Sequence, residues 1–183
     1  VLMDAGWARP DERDARRIQA AMRDAGIDQI DYFIASHFHG DHVGGLPALA
    51  SRVPIGQFID HGDSVEQGSE RGLTSWNAYL STAGDRRRTI APGDKLPLRG
   101  LEFSFVLGHA NTLSRPLMPL GPNPHCDGAS AGSDDLGENA RTVGYLVSLG
   151  GFQFLDLGDV TVNMQHALAC PVNKVGEVDI ELA

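Results

Sequence analysis

Four side chains able to bind a metal fall within six residues at His37-Phe38-His39-Gly40-Asp41-His42, directly after the apolar run Tyr32-Phe33-Ile34-Ala35. No other feature constrains the fold as tightly. Neutral imidazoles and an ionised carboxylate crowded at the end of a buried strand lose hydration and gain little from one another, whereas a divalent cation turns the crowding into coordination. The apolar run therefore reads as a short, fully buried strand flanked by helices, with the polar cluster at its carboxyl end.

Residues two apart in a segment leaving a strand can point to one side, so His37 and His39 are expected to share one ion. Asp41 and His42 follow a turn at Gly40 and would face a second. Two ions roughly 3.5–4 Å apart can share a bridging hydroxide, and the pKa of that water falls to around 7, which makes a nucleophile at neutral pH. Two like charges also need a bridging carboxylate. Asp159 is the best candidate, because it ends an apolar strand after Gly158, and Asp156 in Leu155-Asp156-Leu157-Gly158-Asp159 is its rival.

The remaining chain reads as a single α/β domain over residues 1–183, for which this length and a 42% apolar content suffice. Pro10-Asp11-Glu12 opens a helix whose Ala15, Ile18, Met22 and Ala25 share one face and which Gly26 ends. A second helix is expected from Val43 to Ala50, its paired Gly44-Gly45 allowing close packing. A strand follows at Ile55–Ile59, then a polar helix around Thr74–Ser81. Leu96 to Phe105 predict a hairpin turning at Arg99-Gly100, in strands that read as antiparallel or mixed. Residues 108–139, with Pro116, Pro119, Pro122 and Pro124, form a long irregular loop expected to border the metal cleft and set specificity. Val143–Leu149 and Phe152–Leu157 alternate around Gly150-Gly151 as a second hairpin. Both ends, Val1-Leu2-Met3-Asp4 and Val178–Ala183, read as strands, as if the domain were cut at each side.

His37-Phe38-His39-Gly40-Asp41-His42 resembles the H-x-H-x-D-H signature of the metallo-β-lactamase fold hydrolases. Val1-Leu2-Met3-Asp4-Ala5-Gly6 is similar to the strand-Asp-small-Gly element that precedes the signature there. Phe154-Leu155-Asp156-Leu157-Gly158-Asp159 is similar to the strand that supplies the bridging ligand, and Glu138-Asn139-Ala140-Arg141-Thr142-Val143 resembles the branch of the competence-protein hydrolase domain and its stand-alone relatives. The resemblance implies an αββα sandwich with the metals at one edge, between the sheets. It also implies zinc, two ions if the site is complete, with iron or manganese as alternatives. By position, His37 and His39 would bind the first ion, Asp41 and His42 the second, and Asp159 both, with Asp4 in support. His109, in Gly108-His109-Ala110-Asn111, is the nearest counterpart of a third histidine on the first ion, although the family's Thr is missing. The last ligand of the family follows a strand like Val178–Ala183, and no histidine follows here, so the second ion would lack one protein ligand.

A metallo-hydrolase follows as the leading expectation, with a metal-bridged hydroxide attacking an ester, amide or phosphodiester and Asp41 orienting it. The same signature also serves iron-dependent oxygenases, and a degenerate, non-catalytic binding domain is the third reading. A net charge of −9 argues against an extended nucleic-acid surface and for a small-molecule or short phosphodiester substrate. No window reaches the roughly 18 apolar residues of a membrane span. A soluble bacterial protein is therefore expected, with the compartment, cytoplasmic or exported, left open. Cys126 and Cys170 are either unrelated thiols or a disulfide, and a disulfide would point to an oxidising compartment. His61 reads as a turn residue, His125 as exposed in the loop, His166 as solvated on a short helix, and Arg86-Arg87-Arg88 as a solvated edge that discourages sheet pairing.

Overall fold

Parallel pairing organises the first half of the chain. The computed structural model describes all 183 residues and divides into two compact units, Val1–Thr89 and Ile90–Ala183. In the first, β1 (Leu2–Met3), β2 (Ile30–Ile34), β3 (Ile55–Asp60) and β4 (Arg87–Thr89) form a wholly parallel sheet in the order β1-β2-β3-β4. Each crossover carries helix: α1 (Arg13–Asp24), then α2 (Gly40–Val43) and α3 (Leu46–Ala50), then α4 (Glu70–Ala83).

The predicted apolar face of α1 packs inward at Ala15 and Met22, buried, and Ile18, half-buried, whereas Ala25 is exposed at the C-cap, and the chain leaves the helix through Gly26 at φ 68°. Helix α4 is longer than its polar pattern predicts and starts at a Ser69 cap whose Oγ accepts from the Gly72 amide. The expected helix from Val43 to Ala50 is instead two short ones, α2 and α3, parted at Gly44-Gly45. Close packing is the cause: a Cβ on Gly45 would lie 2.2 Å from the Ala5 carbonyl oxygen, and one on Gly44 would lie 2.7 Å from the Ala8 amide nitrogen. The core joins Phe33 and Phe58 of adjacent strands, ring centroids 5.8 Å apart, to Phe38, Trp76 and Tyr79. Burying each such ring contributes about 1.5–3 kcal/mol.

The second unit holds a mixed sheet in the order β6-β5-β7-β8-β9: β5 (Glu102–Gly108), β6 (Asn111–Thr112), β7 (Gly144–Leu149), β8 (Phe152–Asp156) and β9 (Ile180–Leu182), the last pair parallel and the others antiparallel. The β7–β8 hairpin turns at Gly150-Gly151 as expected, with Leu149 opposite Phe152 and Gly150 at φ 59°. The other predicted hairpin keeps only one arm as a strand. Its first arm survives as a single bridge from Lys95 to Ser104 and a Leu96 amide bond to Phe103, because Pro97 has no N–H to extend the ladder.

Residues 108–139 are largely irregular, as predicted, but they are tied down. Cys126 and Cys170 form a disulfide, S–S 2.02 Å, and the Leu117 and Asn123 amides donate to the Lys174 and Pro171 carbonyls at 2.9 and 2.7 Å. Helix α5 (Val162–Ala169) packs Met164 and Leu168 with Leu107, Leu146 and Leu155. No helix is long and apolar enough to cross a membrane.

Candidate metal centre

The ligand cluster forms where strands β1 and β2 end. Asp4, directly after β1, takes a left-handed φ of 59°, which aspartate tolerates better than most residues. Its Oδ1 accepts from the Ser36 amide at 2.9 Å, and its Oδ2 accepts from Ser36 Oγ at 2.6 Å and lies 2.7 Å from His42 Nδ1. That contact fixes the ring of His42, whose Nε2 stands 3.8 Å from Asp41 Oδ2. Helix α2 produces this pairing, because it starts at Gly40 immediately after the extended His39 and carries Asp41 and His42 in its single turn.

His37 is fully buried, with Nδ1 3.0 Å from Ser36 Oγ and Nε2 2.9 Å from His39 Nδ1. The ring nitrogens of His37 and His42 come within 4.8 Å of each other. The residues fit a metal. Two imidazole nitrogens 2.9 Å apart can both reach one ion at the ~2.0–2.1 Å expected of zinc–nitrogen bonds. A set of imidazoles and carboxylates suits zinc, iron or manganese.

The first unit thus brings together four sequence-predicted residues: His37, His39, Asp41 and His42. The other two belong to the second unit. Asp159 follows β8 through Gly158, which turns at φ 54°. Asp156, its rival, accepts from the Gly158 amide at 3.1 Å and from the Tyr145 hydroxyl at 3.3 Å, so its carboxylate serves the turn itself. His109 is exposed on the β5–β6 turn at φ 54°, its amide bonded to the Arg141 carbonyl at 3.1 Å. His125 is exposed and His166 half-buried on α5.

His61 does lie in the bend that follows β3, but it is fully buried there, with its ring 4.7 Å from that of Phe38. The arginine run does lie at a sheet edge, in and just before the edge strand β4, with Arg86 exposed, but two of its side chains are engaged rather than simply solvated. Arg86 donates to the Ile55 carbonyl at 2.6 Å, and Arg87 Nε donates to Asp60 Oδ2 at 2.6 Å while β4 pairs with β3. Asp60, wholly buried, also accepts from the Tyr79 hydroxyl at 2.8 Å, Thr89 Oγ1 at 3.1 Å and the Gly62 amide at 2.8 Å. Burial first, and then the Asp60 charge, push the Tyr79 hydroxyl well above the ordinary tyrosine range. Burial pulls the Arg87 guanidinium down, but Asp60 and Asp63 outweigh it and its pKa rises.

The sequence reading missed Glu66 and Trp7. Both line a cleft of about 1060 Å³ within the first unit, beside Phe38, His39, Asp41 and Arg71. Glu66 sits in a polar loop with no periodic signal, and Trp7 lies 47% exposed in the segment before α1, so neither stands out without coordinates.

The model of the metallo-beta-lactamase superfamily matches residues 1–129. No curated protein is significantly similar in sequence. Among solved structures, the metallo-beta-lactamase SMB-1 in complex with mercaptoacetic acid is 16% identical, with 100% of this chain and 67% of that one covered at a TM-score of 0.57. An engineered metallo-beta-lactamase from Cronobacter sakazakii with a HARLDQ motif is also 16% identical, covers 100% and 67%, and scores 0.52. Zn(2+)-bound PqqB from Methylobacterium extorquens is 21% identical over 85% and 47%, with a TM-score of 0.45. The chain spans between about half and two thirds of the length of these structures.

Proposed function

The chain belongs to the metallo-beta-lactamase superfamily, and on that premise we propose that it is a metal-dependent hydrolase, zinc-loaded, acting on an ester, amide or phosphodiester. The observation that carries this reading is the convergence of His37 Nε2 and His39 Nδ1, 2.9 Å apart, beside a His42 whose ring Asp4 holds in place. In this reading His37 and His39 would hold one ion and Asp41 and His42 a second, with Asp159 and His109 as further candidate ligands. Once bound, the ions supply a water that ionises near neutral pH and positive charge for the developing oxyanion.

The chain's own groups do the rest. Asp4 keeps the proton of His42 on Nδ1 and leaves the Nε2 lone pair for coordination. Asp41, with 42% of its side chain exposed at the wall of the cleft, would orient the attacking water as well as bind metal. Trp7 and Phe38 give that cleft an apolar wall, and its volume suits a small molecule or a short segment of a larger one. The net charge of −9 disfavours a long polyanion. The stretch Glu138–Val143 supports kinship with the competence-protein hydrolase branch, which favours a phosphodiester as the scissile group. The Cys126–Cys170 disulfide supports residence in an oxidising compartment.

The test is Asp41→Ala in metal-replete protein. Turnover of generic phosphodiester, ester and lactone substrates is expected to fall by more than the roughly 100-fold typical of losing an outer partner of a metal ligand, with the melting temperature little changed. Full activity in that variant contradicts the role. Metal analysis with an absorption spectrum separates zinc, which is colourless, from iron, and an iron-loaded protein that consumes oxygen would replace hydrolysis by oxygenase chemistry.

A further inference from the structure

We propose that Glu66 is a positioning residue of the metal centre, holding His39 in the one tautomer and ring orientation that present Nδ1 to the ion. The inference rests on the reading of His37 and His39 as ligands. Each of these rings has two nitrogens, and the structure gives the two nitrogens of His39 different neighbours: Nδ1 faces His37 Nε2 at 2.9 Å, while Nε2 faces both carboxylate oxygens of Glu66, each at 3.3 Å. A carboxylate accepts and cannot donate when ionised, so it selects the form with the proton on Nε2. The lone pair is then left on Nδ1, on the side of His37. Histidines that bind metals generally donate their other N–H to such an acceptor, and losing that acceptor typically weakens metal affinity 10–100-fold.

The backbone that carries this carboxylate is itself held by its surroundings. The Glu66 carbonyl accepts from the Ser69 amide at 3.0 Å and from Ser69 Oγ at 3.1 Å, and the Glu66 amide donates to Ser64 Oγ at 3.2 Å. Gly72 in the first turn of α4 closes against it: a Cβ there would stand 2.3 Å from the Glu66 carbonyl oxygen and 2.8 Å from its Cβ. Glu66 is thus anchored to the start of a 14-residue helix and reaches across the cleft wall to the ligand. Asp4, just beyond β1, makes the corresponding contact to His42, so two histidines of the signature each have a carboxylate behind them.

The experiment measures zinc affinity by chelator competition on the whole chain for the parent, Glu66→Ala, Glu66→Gln and His39→Ala, with nitrogen-15 spectra of the imidazoles and melting temperatures of the metal-free proteins. The expected result is a 10–100-fold weaker affinity in Glu66→Ala, substantial recovery in Glu66→Gln, whose amide oxygen still accepts from Nε2–H, and unchanged metal-free melting. The His39 spectrum should move from a single Nε2-protonated form in the parent toward a mixture in Glu66→Ala. Parent-like affinity and an unaltered tautomer in Glu66→Ala, alongside loss of binding in His39→Ala, overturn the proposal and leave the metal reading standing. Absence of zinc binding in the parent, or full binding in His39→Ala, overturns both.

Discussion

The two units hold themselves together by different means. Val1–Thr89 is a parallel sheet whose connections are helices and whose functional side chains follow strand ends: Asp4 after β1, Ser36 and His37 just beyond β2, Asp60 and His61 at the end of β3. Carboxyl ends of parallel strands are where such sheets place their ligands, since the strand fixes the backbone and the next loop is free to carry chemistry. Ile90–Ala183 has a mixed sheet, a long irregular loop and a covalent tie between Cys126 and Cys170. The first unit neutralises its buried polar groups with one another; the second pins an open loop with a disulfide. A unit dense in buried polar groups needs a rigid frame, and a loop that lacks a core of its own needs a staple.

The largest effect expected from testing this contrast comes from Cys126→Ser with Cys170→Ser. A disulfide closing a 44-residue separation contributes about 4 kcal/mol in the chain-entropy account. Denaturation should show the loss, and hydrogen exchange should confine it to Ile90–Ala183. Parent-like stability in the double variant would erase the contrast. Next in size is Asp60→Ala, which leaves Arg87 with only the exposed Asp63 as ion-pair partner and the Tyr79 and Thr89 hydroxyls without their acceptor, a loss of about 3 kcal/mol. Faster exchange should then appear in β3, β4 and α4. Smallest is Gly45→Ala, where the new methyl meets the Ala5 carbonyl, at about 2 kcal/mol. It should lower the melting temperature and also disturb the bond from the Ala5 amide to the His42 carbonyl, so zinc affinity should fall with it. Unchanged affinity would separate the frame from the site.

Much of the first unit was legible in the sequence because its signals are local. The run Tyr32–Ala35 followed at once by His37, and the spacing of Ala15, Ile18 and Met22, need no knowledge of distant residues. The break between α2 and α3, the bonds of Arg86 to Ile55 and of Arg87 to Asp60, and the burial of His61 were not legible, since each depends on what another strand or helix puts opposite. Pro97 was visible, but its cost to a hairpin becomes evident only against the ladder it interrupts.

By itself the sequence determined which groups are on hand: imidazoles and carboxylates gathered behind a buried strand, with two glycines and a strand-end aspartate at fixed positions. Folding alone decided which nitrogen of each ring faces which partner, that Glu66 stands behind His39, and that the two cysteines meet. Residue identity and local spacing fix which groups are present, whereas hydrogen-bond direction and long-range contact are set by segments far apart in the chain, brought within a few ångströms only when the sheets form.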